Sequence, residues 1–331
     1  MIEDKHMRSN TFCVVTSKAL MAVQVAALSC ALATLVHAAP QAKPTAAAAA
    51  PQLSFATPQL AADTLVKAAA DYDVPALINI LGPEGQALVS SADPVQDKNR
   101  ATTFAAKARE KNVVAKDPKD SKRAILSVGN EDWPLPIPLV EKTGKWYFDT
   151  KAGLAEILFR RIGENELEAI NICRGFVEAQ KEYAARVHDN SGVNQYAQKI
   201  ISTPGKQDGL AWRNPDGSWG GPVGEGVASA LEEGYVEKSK PFHGYYFKVL
   251  KGQGPDAFLG KLDYVIGGAM IGGFALVAVP AEYRVTGVNT FMVSYDGVVY
   301  QKDLGPDSLK IVKSMELYNP DKTWQETNDN P

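Results

Sequence analysis

Between residues 151 and 188 the chain carries an almost unbroken helical signal, and the sequence on both sides reads differently. Leu167, Ile170, Cys173, Val177 and Gln180 fall near one stripe at helical spacing, widened by Ile172, Phe176 and Tyr183. A helix of that length cannot bury its own stripe, so it needs another layer against it. Period-two runs before and after it supply that layer. The expectation is an α+β fold: N-terminal helices plus a curved antiparallel sheet, then the long helix packed on a small antiparallel sheet.

Upstream, Thr57-Pro58 reads as an N-cap followed by proline at the first helical position, with Leu60, Leu65, Val66 and Ala69 at helical spacing. Val74 to Leu81 is a second helix stopped by Gly82-Pro83, and Pro94 to Lys111 a third with Phe104 on its buried side. After Asn112 the period becomes two. Arg123–Val128, Leu135–Val140 and Lys145–Phe148 are the expected strands, the second demoted to an edge or bulge by Pro134, Pro136 and Pro138. Downstream, Asp189-Asn190-Ser191-Gly192 ends the long helix and Val193 to Ile201 is expected as a shorter one. Residues 204–226 form a Gly/Pro/Trp-rich loop. Tyr245–Leu250, Tyr264–Ile266, Phe274–Val279, Thr290–Tyr295 and Val298–Lys302 read as strands, with Asp296-Gly297 as a hairpin turn and Asp307 to Met315 as a closing helix.

The first 38 residues read as a signal peptide. Arg8 and Lys18 precede an uncharged run from Ala19 to Val36, and Val36-His37-Ala38 fits a cleavage site after Ala38, with Met7 an alternative start. A retained membrane anchor is the competing reading, because 18 residues reach the lower limit of a span. Cleavage leaves 32 basic and 36 acidic residues, a net charge of −4, and removes Cys13 and Cys30. Cys173 alone remains, so no intramolecular disulfide is expected and the cores must hold the fold. The remainder is expected to have no membrane span and to reside in the periplasm or outside the cell. Residues 39–54 form an Ala/Pro linker, 55–160 and 161–320 two α+β domains, and 321–331 a C-terminal tail. With 45% hydrophobic and 22% charged residues, the composition excludes a disordered, collagenous or disulfide-scaffold chain. The near-neutral charge argues against nucleic acid as a partner.

Several residues are candidates for chemistry. Cys173 with a histidine would make a nucleophile–base pair, but its place in an apolar stripe favours a small buried hydrophobe. His243, at the start of a strand, is a candidate catalytic base with Asp263 or Glu282 as its carboxylate. Asp189 opens a stretch resembling half a calcium loop, where a helix-ending turn is the plainer reading. Gly220 to Gly226 could cradle an anion but lacks a P-loop Lys-Ser/Thr. Trp212 and Trp219, beside Arg213, Lys206 and Asp208, either pin their loop to the body or offer a stacking platform for a sugar or peptide. Glu232-Glu233 diverge on a helix and make no acid–base pair. No cofactor fingerprint is present.

Six ordered blocks resemble one family. They are Glu131-Asp132-Trp133-Pro134, Phe148-Asp149-Thr150, Ser202 to Gly209, His243-Gly244-Tyr245-Tyr246-Phe247, Met270 to Val277 and Asp296 to Pro306. Over about residues 55–320 the chain resembles the bacterial exported domain of unknown function 2950 family (DUF2950). That resemblance implies export and carries no established activity. In element order, residues 55–150 are similar to the NTF2-like cone and residues 163–305 to the globular part of pilins and pseudopilins. The cone-like half is expected to offer an apolar pocket. The leading functional expectation is a non-catalytic envelope protein that binds a protein partner or a small-molecule or glycan ligand. An envelope hydrolase using His243 and a structural assembly component are the alternatives.

Overall fold

A computed structural model describes residues 51–91, 93–224 and 241–328. The expected signal peptide, most of the linker, and Glu232-Glu233 lie outside the described residues. The first helices begin where capping oxygens stand. Thr57 Oγ1 accepts from the Leu60 N–H to open α1 (Pro58–Asp71), and Asp73 accepts from Ala76 N–H to open α2 (Val74–Leu81). A short α3 (Gln86–Val89) follows, and Asp93 caps α4 (Pro94–Glu110). Each of α1, α2 and α4 carries proline in its first turn, where a missing N–H costs nothing.

The chain then makes an antiparallel sheet from β1 (Asn112–Asp117), β2 (Asp120–Val128), β3 (Trp133–Pro134), β4 (Leu139–Lys142) and β5 (Lys145–Phe148). Its order is β1-β2-β4-β5, with β3 paired to β2. β1 is a strand the expected set lacked, because it is an edge with largely exposed side chains and no alternating apolar pattern. The expected strand Leu135–Val140 is also corrected. Its proline-rich middle leaves the ladder, so that β3 and β4 flank an irregular 135–138 segment. Thr143-Gly144, both at positive φ, close the β4–β5 hairpin. Before α1, Phe55 bridges Trp146, and the Gln52 amide donates to the carbonyls of Ile80 and Phe148. The described end of the linker is therefore tied to this sheet.

Asp149 caps α5 (Thr150–Ala184), the 35-residue helix, which spans the expected 160/161 boundary. Gly153 is required near its start: a Cβ there would sit 2.5 Å from Ile137 Cγ1. Beyond the helix come β6 (Trp212–Arg213) and β7 (Trp219–Gly220), then β8 (Tyr245–Leu250), β9 (Gly252–Gln253), β10 (Leu262–Asp263), β11 (Val265–Ile266) and β12 (Ala269–Met270). β13 (Ala275–Pro280), β14 (Thr290–Ser294), β15 (Val299–Lys302), α6 (Ser308–Ser314), β16 (Leu317–Tyr318) and β17 (Gln325–Glu326) complete the chain. The second large sheet runs β17-β15-β14-β13-β8, all antiparallel. Every residue of β13 and β14 is buried, since α5 packs against both strands while α6 packs against β13. That double cover explains why these strands read as continuous apolar runs.

Three expectations change here. Val193 to Ile201 is not a helix: Tyr196 bridges Met270 and Ile201 bridges Ala211. Fully buried Gln180 decides the matter, because its amide donates to the Ala197 carbonyl and accepts from the Ala197 N–H, both at 2.8 Å. A side chain there occupies the backbone groups that a helix would need for itself. Leu167, expected on the buried stripe, is half exposed at 53%. The stripe otherwise packs as read, with Ile170, Cys173, Phe176, Val177 and Tyr183 in the C-terminal core. The expected tail at 321–331 also contributes structure, since Trp324 joins that core and β17 pairs with β15. Helices and antiparallel sheets occupy successive stretches, which makes the fold α+β. Among the described residues no helix is long and apolar enough to cross a membrane.

Candidate functional site

The two halves use their apolar residues differently. In the N-terminal half, the helices and sheet line an open cavity of about 450 Å³. α1 contributes Leu65 and Ala69, and α2 contributes Leu77 and Leu81. The sheet side is Val128, Leu135 and Ile137, and Ile157 of α5 joins the lining. α4 runs along the cavity, presenting Asp97, Arg100, Ala101, Phe104 and Lys107. Those positions share one helical face, which is why Phe104 reads as inward-facing in an otherwise polar helix.

The polar groups of this cavity are few. Asp97 is buried at 5%, and its carboxylate accepts from the Ser91 N–H (2.6 Å) and from the Ser91 hydroxyl (2.9 Å). Arg100 is exposed and donates to Gln96 Oε1 at 2.7 Å. Lys107 stands 3.9 Å from Glu131, and both side chains are at least half in water. Trp133 is held from outside by Arg160, whose guanidinium lies 5.5 Å from the ring centre and donates to the Pro134 carbonyl at 2.9 Å. α5 thereby fixes the strand that lines the cavity.

The Gly/Trp loop is pinned. Trp212 packs on the C-terminal core and lies 5.5 Å from the His188 ring, which in turn stacks on Tyr183 at 4.0 Å. His188 Nε2 meets the Tyr183 carbonyl at 3.0 Å, in the last turn of α5, where the Arg186 N–H also reaches that oxygen. Arg213 covers the Trp219 ring at 4.0 Å and donates to the Gly217 carbonyl. Lys206 is exposed in its turn. Asp208 accepts from Lys199 (2.8 Å) and from the N–H and hydroxyl of Thr203. Burial works to raise its carboxyl, but the Lys199 and Thr203 hydrogen bonds outweigh burial and hold it below the usual carboxylate range. Of these five candidates only Asp208 lines a described cavity, a narrow 180 Å³ cleft shared with Tyr183, Tyr196 and Lys199.

The catalytic candidates are scattered. His243 is exposed at φ 46°, and with Gly244 it forms a tight turn closed by hydrogen bonds between Phe242 and Tyr245. Asp263 pairs with Gly252, past the far end of β8. Glu282 follows β13 near Gly244, yet among the described residues no ion pair or hydrogen bond joins it to His243. Cys173 is fully buried, and burial pushes its thiol up to about 12. Asp189 accepts from the Gln207 N–H at 2.8 Å, closing a loop, and among the described residues no cluster of metal-binding side chains occurs. Sequence reasoning missed Gln253, buried at 1%. Its amide donates to the carbonyls of Phe258 and Gly260 and accepts from the Tyr264 hydroxyl. A lone Gln between glycines gives no signal of that role.

The fold and the cavity thus define an α+β protein with an apolar cavity between helices and sheet in its N-terminal half. A family model described as "Protein of unknown function (DUF2950)" matches residues 52–327, and the chain belongs to that family. No curated protein and no solved structure matches it.

Proposed function

We infer that the chain is an exported, non-catalytic binding protein of the cell envelope, and that the N-terminal cavity holds an apolar small molecule. The observation that carries this reading is the cavity itself. Its volume of about 450 Å³ falls in the range of small-ligand sites, its walls are apolar, and its polar groups are few. The non-catalytic side is supported by the placement of His243 in an exposed turn and of Cys173 in a packed core. Export to the periplasm or beyond rests on the uncharged run Ala19 to Val36 and the small-residue site at Val36-His37-Ala38.

The test is binding of 1-aminoanthracene, an apolar fluorophore that brightens out of water, to the purified protein. Saturation at one dye per chain is expected. Ala101→Trp, on the cavity wall, is expected to abolish binding while leaving the protein folded by circular dichroism. Failure of the wild type to bind, or equal binding by the folded variant, overturns the reading.

A further inference from the structure

The cavity's apolar walls do not by themselves say what kind of molecule enters. The charges on α4 do. Asp97, Arg100, Phe104 and Lys107 recur at three or four residues and face the same cavity. Arg100 and Lys107 are seven residues apart, so their backbones stand about 10 Å apart along the axis.

The three charges are not equally available. Asp97 is buried, and both of its oxygens are taken by Ser91. Arg100 is exposed, it donates to the neutral Gln96 amide oxygen, and among the described residues no carboxylate lies within ion-pair distance of it. Among the described residues Lys107 has a single acidic contact, Glu131 at 3.9 Å, with side chains 50% and 86% exposed. An ion pair so open to water holds its partner weakly. Asp132, next to Glu131, is already engaged by Lys111 at 2.7 Å. The available charge beside the cavity is therefore positive. Long Arg and Lys stems can lie along apolar surface while their heads stay in water.

We propose that the ligand is an anionic amphiphile of the long-chain carboxylate class: its hydrocarbon tail fills the cavity and its acidic head pairs with Arg100 and Lys107. This rests on the reading of the cavity as a ligand site, and it adds the head group. A neutral hydrocarbon would use the same walls and gain nothing from the two cations. A cationic amphiphile would be repelled by them. A carboxylate gains on both counts, and Arg100 offers it a planar two-pronged donor.

The experiment is displacement of 1-aminoanthracene by straight-chain compounds kept below their micelle concentrations. Carboxylates of eight, ten and twelve carbons are compared with the alcohol and the amine of twelve. Affinity of the carboxylates is expected to rise about fourfold per added methylene until the cavity is full. Dodecanol is expected to bind about tenfold more weakly than dodecanoate, and dodecylamine more weakly still. The double variant Arg100→Gln with Lys107→Gln should lose about tenfold in dodecanoate affinity and several-fold less than that for dodecanol. Both side chains are exposed, and circular dichroism certifies the fold of the variant. Equal affinity for dodecanoate and dodecanol, or an unmoved dodecanoate affinity in the double variant, overturns the carboxylate assignment and leaves the cavity reading intact. Absence of dye binding in the wild type overturns both.

Discussion

The N-terminal and C-terminal cores are built from similar residue types, yet one is filled and the other is not. Around β13 and β14 every residue is buried, and α5 and α6 interlock with the sheet until a glycine such as Gly287 has no room for a methyl group beside Tyr245. Around α4 the apolar side chains line an open volume, and several of them, Phe104 and Leu135 among them, are only half-buried. A core that closes on itself spends its apolar surface on stability. A core left open keeps part of that surface for something else. The difference is why the binding reading rests on the N-terminal half and not on the Trp212 and Trp219 loop.

The comparison breaks most easily by deleting matched side chains. Phe291→Ala, at a fully buried β14 position, should cost about 3–5 kcal/mol, whereas Leu135→Ala beside the cavity should cost about 1 kcal/mol. Urea denaturation with unchanged slope checks both, and equal losses would erase the distinction. Gln180→Ala should cost about 2–4 kcal/mol, because both backbone groups of Ala197 lose their partner in a buried setting. Hydrogen exchange at the Ala197 amide should accelerate with it. Gly287→Ala should cost about 1–3 kcal/mol through the clash with the Tyr245 hydroxyl. Gly163→Ala, mid-helix with nothing within 4 Å of the added methyl, should stabilise by about 0.5–1 kcal/mol. Thermal melts of the pair read the contrast directly.

The smallest effect is electrostatic. Asp208 has a lowered carboxyl, so its contribution is present above the unfolded aspartate range and is lost as pH falls through its folded value. Asp208→Asn should therefore lower the melting temperature by about 2 °C at neutral pH, and the gap should close in acid. A gap that widens in acid would mean that the Lys199 and Thr203 contacts do not set the charge.

Much of the fold was legible because its signals are local. Thr57, Asp73 and Asp149 cap the helices they precede, β5 and β8 have the expected bounds, and the Thr143-Gly144 turn follows from its two residues. The failures are where a distant partner decides. Helical spacing in 193–201 yields to the Gln180 side chain, and β1 exists because β2 offers it an edge. Leu167 fits the stripe by spacing yet is half exposed, although Asn165 and Glu166 just before it still bond the 286–289 segment. The cavity was foreseen only as a feature of its half. Its lining comes from all five helices α1 to α5, from β2 and from the 133–137 segment, which no local pattern connects. The positions of Arg100 and Lys107 on α4 were readable. Their shortage of close acidic partners was not, because it depends on where Glu131, Asp132 and Ser91 fold back.

α5 carries a consequence for how this chain could be divided. It runs about 50 Å as one rod, with Ile157 and Arg160 serving the cavity and Ile170 to Tyr183 serving the second sheet. A cut anywhere between those groups strands half a helix on each fragment, with a raw end and no turn beyond it. Neither piece would be a portable module. Truncation or fusion must treat the two halves as a single unit.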